Sequence, residues 1–321
     1  MSEASVRRRS QWEPVMGTFL QLDLTADDGD AAAHAEATVV DAARQLERSL
    51  SRFSADSDLS RWSAGLAVAG ETLGPLLARS AWWMAWSEGA FNPFTAELTE
   101  LWKTAEASGA EPDPVALRRV CADLAVPRFE ASPTGPLVGA GTDVSILRHA
   151  DCGALDLHSI AKGWAVDRLV DAAMACDGVS RVIVNAGGDL RHDGDGTMRV
   201  GIEDPKAIAD NQTPADRIEV SRRAVATSGI ARRQFVVGDR RYSRLIDPRT
   251  GRPVAEQIAA TVVAPDAATA DVLATVASVL GPEEFAIKSA GLAVLGIEAD
   301  WRLIRVDGLA VESVGWPALA R

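Results

Sequence analysis

Between Val179 and residue 264 the chain reads as a succession of short strand-like runs, and this stretch constrains the fold more than any other. Val179 to Ala186 is the first run and stops at Gly187-Gly188-Asp189. Val200 to Ile202, Arg217 to Thr227, Arg233 to Val237, Tyr242 to Ile246 and residues 257–264 follow it. Upstream, Val15 to Leu24 alternates apolar and polar residues late in the run, as a half-buried strand does. Helical patterns are interspersed. Ala31 to Leu50 is Ala-rich with apolar residues at helical spacing, and Leu73 to Glu88 carries an aromatic face of Trp82, Trp83 and Trp86, read as core or domain-contact residues. Ile160 to Ala175 follows the strand-like Gly153 to Leu157, and Thr269 to Leu280 is a further helix. Phe285 to Ala290, Ala293 to Ile297 and Trp301 to Arg305 supply a last helix and strand. No segment repeats at a fixed period, and the mixture predicts an α+β fold.

A chain of 321 residues is long enough for one large unit or two small domains. Apolar residues make up 47% and charged residues 24%, enough for an ordinary soluble core. The net charge of −12 argues against general nucleic-acid binding and against docking on an anionic membrane surface. One region differs: nine arginines lie between Arg222 and Arg252, so a phosphate-bearing ligand could be met there. Cys121, Cys152 and Cys176 show no Cys-x-x-Cys spacing, as expected of incidental thiols in a reducing compartment. His34, His149, His158 and His192 show no metal-ligand spacing. Residues 1–12 are expected to be a loose polar tail, with residues 13–321 a single domain and about 106–135 an irregular insertion. Neither a signal-type apolar run nor a membrane-span stretch of roughly 20 apolar residues is present, so a cytoplasmic setting is expected, without membrane insertion.

Four stretches carry chemistry, each with a plainer reading beside it. In Ala154 to Asp167 (ALDLHSIAKGWAVD), Asp156 ends a strand beside the start of a helix. There it could hold a ligand hydroxyl, a ring nitrogen or a cation, or simply cap the helix. In Val184 to Leu190 (VNAGGDL), paired glycines let the backbone approach a ligand closely, or make an ordinary turn. Tyr242 to Val254 (YSRLIDPRTGRPV) specifies a rigid Asp-Pro and Thr-Gly turn ringed by Arg244, Arg249 and Arg252. It suits phosphate contact or a solvated hairpin. In Thr269 to Thr275 (TADVLAT), Asp271 and Thr275 share one helix face. A carboxylate and a hydroxyl there suit Mg²⁺, or else serve the helix itself.

Order and combination add what the single stretches lack. Met16-Gly17-Thr18, Phe53 in LSRFSADSDLSR, GAFNP at Gly89 to Pro93, DLHSIAKGWAVD, VNAGGD, TSG at Thr227 to Gly229, RLIDPRTGRPV and ADVLAT occur in succession. From Met16 to about Leu280 this resembles the ApbE family of FAD:protein FMN transferases. The resemblance implies an α+β fold with mixed or antiparallel sheets and flanking helices. It also implies that Met16, Phe53, Ala90, Phe91, Asn92, Asp156, Lys162 and Leu245 line a FAD site, with Phe53 stacked on the adenine. Ser159 (through its backbone carbonyl), Asp271 and Thr275 would hold Mg²⁺ against the FAD pyrophosphate. FMN would pass to a Ser or Thr hydroxyl of an acceptor protein and AMP would leave.

Two positions depart from the family pattern. Arg244 stands where the family usually has His, which could accept a proton near neutral pH; arginine cannot, although it can stabilise charge on phosphate, the catalytic role expected of it beside Asp271. Asn92 stands where Asp is usual. His158 is also unusual; it is expected on the motif's far face, a substitute base role being the less favoured alternative. Rival readings are hydrolysis of FAD to FMN and AMP, and a FAD-binding protein impaired in catalysis.

Overall fold

The computed structural model describes residues 5–139, 141–150, 152–205, 213–229, 234–254, 258–305 and 307–317. The first elements are β1 (Val6–Val15), β2 (Thr18–Ala26), α1 (Gly29–Leu50), α2 (Asp58–Ser63), α3 (Leu73–Trp86), α4 (Ala96–Ser108) and α5 (Pro114–Leu124). Then come β3 (Phe129–Ser132), β4 (Ser145–Arg148), α6 (His158–Met174), β5 (Val179–Ala186), β6 (Asp189–Gly194), β7 (Met198–Ile202), β8 (Asp216–Val220) and β9 (Ala224–Gly229). The chain continues through β10 (Gln234–Val237), β11 (Arg240–Ser243), β12 (Ile246–Asp247), β13 (Arg252–Pro253), β14 (Ile258–Ala264) and α7 (Ala267–Ser289). After a short 3-10 turn, Ala293–Leu295, it ends with β15 (Asp300–Arg305) and β16 (Ala310–Glu312).

Eight strands form one antiparallel sheet in the order β1-β2-β5-β6-β9-β14-β15-β16. Strand pleating sorts its side chains between two cores. In β14, Ala260, Val262 and Ala264 enter the main core, which α1, α6 and α7 cover. Val263 points the other way, into a smaller core closed by Met198, Ile202, Ile218 and Val220 of the β7–β8 ribbon. The main core explains the helices as well. Ala32, Ala35, Val39, Ala43 and Leu46 recur at helical spacing along α1 and are buried, behind an N-cap in which Asp28 accepts the Ala31 N–H.

Helices α6 and α7 run antiparallel at close range. The Gly163 N–H points to Asp271 Oδ2 at 3.4 Å, while Asp167 Oδ1, a turn later on α6, accepts the Ala267 N–H at 2.8 Å. A Cβ on Gly163 would stand 2.2 Å from the Ala267 carbonyl oxygen, so this approach requires a residue with no side chain.

Two tight turns share one end of the sheet. Met16 (φ 50°) and Gly17 (φ 74°) join Val15 to Thr18, and Gly187 (φ 60°) with Gly188 (φ 101°) joins Ala186 to Asp189. Both residues of each turn are left-handed, as the right-handed twist of an antiparallel hairpin demands. Leu20 pairs with Ala186, which brings the turns together.

Several expectations need correction. The supposed loose tail is in fact structured from residue 6: β1 pairs along β2, and Arg7 and Arg9 reach Asp23, while residues 1–4 lie outside the described set. The segment 106–135 is more regular than expected. Asp113 caps α5, Pro114 opens it, Leu117, Val120 and Leu124 bury one face, and β3 pairs with β4. Val15 to Leu24 is interrupted by the Met16-Gly17 turn. Arg217 to Thr227 is two strands, β8 and β9, separated at Arg222 (φ 49°). By contrast, Thr269 to Leu280 and Phe285 to Ala290 are two helical stretches as expected: within α7, Gly281 (φ 76°, ψ 175°) and Pro282 break the helix between them.

Candidate functional site

A cleft of about 270 Å³ opens where the start of α6, helix α7, the segment after α3 and the segment after β11 meet. Ala90, Phe91, Asn92, Asp156, Ser159, Arg244, Leu245 and Thr275 line it, joining residues that are far apart in sequence. His158, Arg52, Phe235 and the α4-side residues Thr95, Thr99 and Lys103 complete much of the wall.

Local hydrogen bonds set each wall. After α3 the chain turns through Glu88 (φ 52°) and Gly89 (φ 83°), and Ser87 Oγ accepts the Phe91 N–H at 2.9 Å. Asn92 is buried and uses both ends of its amide: Oδ1 accepts the Phe94 N–H at 3.0 Å, and Nδ2 donates to the Leu124 carbonyl at 3.0 Å. A carboxylate at position 92 would have no proton for that second bond at neutral pH, so the amide matches the docking of α5. The Pro93 carbonyl accepts the Asp156 N–H at 2.6 Å and fixes the opposite wall.

Asp156 sits below the rim. Burial would raise its pKa, but the hydrogen bond from His158 and the nearby His158 and Arg52 charges hold it below the usual carboxylate range. His158 Nδ1 bonds Asp156 Oδ1, and the imidazole is 60% exposed on the cleft wall. The expected packing on the far face is therefore wrong. The ring is drawn to the carboxylate it can hydrogen-bond.

Across the cleft, Arg244 lies over the Phe235 ring, its guanidinium carbon 4.8 Å from the centroid. Its Nε donates to the Gln234 carbonyl at 3.3 Å and its Nη2 stands 3.6 Å from Glu106. The Asp-Pro-Arg-Thr-Gly turn is built as its residues suggest: the Asp247 carbonyl accepts the Gly251 N–H at 2.8 Å, and Trp102 Nε1 donates to the Gly251 carbonyl at 2.8 Å. Arg249 is spent on Asp247 and Glu284, so it is Arg244 among the turn's arginines that reaches the cleft.

Behind Thr275, one helical turn deeper, lies Asp271, only 7% exposed. Lys162 Nζ donates to Asp189 Oδ2 at 2.5 Å and stands 3.9 Å from Asp271 Oδ2. Burial, then the charge of Asp189, pushes Asp271 well above the usual carboxylate range, and Lys162 only partly opposes this. Asp189 was the sequence's missed participant. It directly follows Gly187-Gly188, and only the fold shows that the turn delivers it to Lys162.

Four expected residues do not line the cleft: besides Lys162 and Asp271, which lie behind it, these are Phe53 and Met16. Phe53 is 86% exposed on the loop after α1, with the Arg52 guanidinium 4.9 Å from its ring centroid. Met16 holds its left-handed turn through its N–H, which Glu47 Oε1 accepts at 3.1 Å. Of the tryptophans, Trp83 is fully buried and Trp82 and Trp86 pack against the same core.

For a cation, the donors within reach are the Asp271 carboxylate, the Thr275 hydroxyl and the carbonyl of Ser159, where non-helical angles (φ −92°, ψ 17°) bend the first turn of α6. Among the described residues no three His, Cys, Asp or Glu side chains converge on one point. A hard cation that keeps water or phosphate oxygens needs no such cluster, and an all-oxygen set fits Mg²⁺. A positive charge there would also oppose the burial that raises Asp271.

The family model that matches this chain, over residues 16–295, is the ApbE family. The chain belongs to the ApbE family. A FAD:protein FMN transferase of Treponema pallidum is 33% identical over 302 residues, covering 88% of this chain and 81% of the relative. Among solved structures, the ApbE protein of Thermotoga maritima superimposes with a TM-score of 0.78 at 22% identity, over 96% of this chain and 97% of that one. The apo flavinyl transferase ApbE of Pseudomonas stutzeri reaches 0.72 at 26% identity, over 96% and 94%. This ApbE-family chain thus shares its fold with these ApbE proteins. Among its described residues, no helix is long and apolar enough to cross a membrane.

Proposed function

We propose that this chain is a FAD:protein FMN transferase that uses Mg²⁺ to move FMN from FAD to a Ser or Thr hydroxyl of an acceptor protein. One observation carries the reading: a single cleft unites Ala90–Asn92, Asp156–Ser159, Arg244–Leu245 and Thr275, contributed by separate parts of an ApbE-family chain. In the reaction the acceptor oxygen forms a bond to the phosphorus on the FMN side of the pyrophosphate. The bond from that phosphorus to the AMP phosphate breaks, AMP carries away the electron pair, and the hydroxyl proton is released.

The residues divide this work. Ala90, Phe91 and Leu245 give the flavin an apolar wall, with Asn92 fixing the shape of the segment that supplies it. Asp156, held ionised by His158 and Arg52, offers an acceptor for a ligand N–H or hydroxyl. Phe53 and Met16, outside the cleft lining, stand beyond it, where Phe53 presents a free ring face for the adenine. Asp271, Thr275 and the Ser159 carbonyl would hold Mg²⁺, which when bound neutralises pyrophosphate charge and polarises the phosphorus. Lys162, shared between Asp189 and Asp271, keeps the buried carboxylates compatible with each other. Arg244 takes up phosphate charge but has no proton-accepting atom. The reading includes residues 13–321 acting as one unit and a cytoplasmic setting, which the free thiols Cys121, Cys152 and Cys176 support.

Mass spectrometry of the protein incubated with FAD, Mg²⁺ and a flavinylation-acceptor domain tests the reading. An FMN adduct on an acceptor Ser or Thr, with AMP in solution, is expected. FMN and AMP without an adduct would replace transfer by hydrolysis, and intact FAD in a stable complex would leave a binding protein.

A further inference from the structure

The sheet face turned away from the helices carries a second hollow, of about 820 Å³, bounded by β1, β2 and β5 and by the start of the β7–β8 ribbon. It lies on that face because Ile183 and Leu190 pack toward the smaller core, whereas Val182 and Val184 enter the helix-covered one.

At one end of this groove three guanidinium groups share one carboxylate. Arg7 reaches Asp23 at 2.8 and 2.5 Å, Arg9 at 3.0 Å and Arg181 at 3.2 Å. One negative charge cannot balance three positive ones, and the nearby Glu36 is engaged by Arg8. Burial raises Asp23, yet the Arg7 hydrogen bond and the three arginine charges together hold it below the usual carboxylate range. Arg199 adds an exposed guanidinium on the ribbon side, paired with Glu219 at 2.7 Å. A chain with a net charge of −12 has concentrated cations here.

The floor beyond the arginines is a ladder of amides. Asn185 Nδ2 donates to Gln21 Oε1 at 3.0 Å, and Gln21 Nε2 donates to Gln11 Oε1 at 2.9 Å, across three strands in register. Gln11 Nε2 donates in turn to Glu13 Oε1 at 2.7 Å, and each amide of the ladder retains a second N–H for a ligand. A peptide backbone, which presents both N–H and C=O groups, matches such a floor. Half-buried Ile183 and Leu190, with buried Met198, line the groove for alternate apolar side chains. Among the described residues lining it there is no aromatic ring on which a base could stack, which disfavours a nucleotide. Asn185 Oδ1 also accepts the Gly188 N–H at 3.0 Å, so the ladder ends at the turn that delivers Asp189 to Lys162.

We propose that this groove binds an extended acidic segment of the acceptor protein, its carboxylates on the Arg7, Arg9 and Arg181 cluster and its backbone along the amide ladder. That the occupant belongs to an acceptor rests on the transferase reading; the preference for an acidic, extended peptide rests on the groove alone. The segment would leave the groove near the sheet end where the reaction site is built, giving the acceptor a second foothold away from the cleft.

Fluorescence anisotropy with a labelled peptide alternating Glu and Val, and a counterpart alternating Lys and Val, tests this on the full chain. The wild-type protein should bind the Glu peptide, more weakly as salt rises, and should not bind the Lys peptide. Arg9→Glu combined with Arg199→Glu should weaken Glu-peptide binding by about tenfold or more, while FAD binding stays as in the wild type. Equal binding of the two peptides, or undiminished binding by the double variant, would overturn the proposal. So would displacement of the Glu peptide by an equal concentration of single-stranded oligonucleotide, which would mark an unspecific polyanion patch. Should wild-type protein fail to take up FAD, the transferase reading falls by itself, and the two peptides still decide what the groove binds.

Discussion

Asp167 and Asp271 lie on facing helices of one pair, about one turn apart, and both are pushed upward by burial, yet their neighbours treat them differently. Asp167 accepts the Ala267 and Ala268 N–H groups at 2.8 and 2.9 Å and an Arg191 guanidinium at 3.2 Å, closing the start of α7. Burial, with Asp266 adding to it, still moves it up to about 7, against the pull of Arg191 and Arg79. Asp271 has one long N–H contact at 3.4 Å, a lysine 3.9 Å away that it shares with Asp189, and a side-chain hydrogen bond with Asp189 itself. The difference separates a structural carboxylate from one held in reserve. Partners that fully surround a carboxylate make it part of the scaffold, and a carboxylate with weaker partners behind an open cleft is available to a ligand.

The comparison breaks most visibly in activity. Asp271→Ala should lower Mg²⁺-dependent AMP release from FAD by about 10³-fold with the fold intact by circular dichroism; turnover near wild type would remove Asp271 from the site. Asp167→Ala should do the reverse. Losing the acceptor for two buried N–H groups and the partner of Arg191 should cost about 3 kcal/mol of unfolding free energy in urea, with a smaller fractional loss of turnover per folded molecule. Thr275→Val keeps the shape of the side chain and removes its oxygen. It should raise the Mg²⁺ concentration for half-maximal turnover by about tenfold and leave stability almost unchanged.

The smallest effect is the pH dependence. Because the folded pKa of Asp271 is raised, the folded state binds this proton more tightly than the unfolded chain does. Stability attached to the group is therefore fully present below the unfolded value of about 4 and is lost as pH rises through the raised folded value. Without metal, Asp271→Asn should accordingly raise Tm at pH 8, with the gain shrinking toward pH 5. A gain that grows on acidification would show that Asp271 is stabilised as an anion in the apo fold.

What the sequence made legible follows the range of the forces. Val179–Ala186 is a strand between the residues where its apolar run begins and ends, and α1 carries its buried stripe in plain periodicity. The Asp271 and Thr275 pair needed only helical spacing. Strand β1 was hidden because its side chains are mostly exposed and its pairing is made by backbone and by Arg–Asp contacts to β2. Helix α5 was obscured by flanking Gly, Pro and acidic residues, though Asp113 and Pro114 are ordinary helix-start signals. Asn92 and Asp189 could not be interpreted locally, since their partners, Leu124 and Lys162, are 32 and 27 positions away. His158 was misplaced for the opposite reason: its partner, Asp156, is two residues away, and a short turn swings the ring back.

The missing side chain at Gly163 has a practical meaning for anyone who would re-engineer this protein. The gauge between the carboxylate of α7 and the first turns of α6 is set by main chain against main chain, with a Cβ at 163 only 2.2 Å from the Ala267 oxygen. A mutant library that varies position 163 will spend its members on broken helix pairs. Diversity placed at 158 and 244 instead samples different pocket chemistries on an unchanged frame.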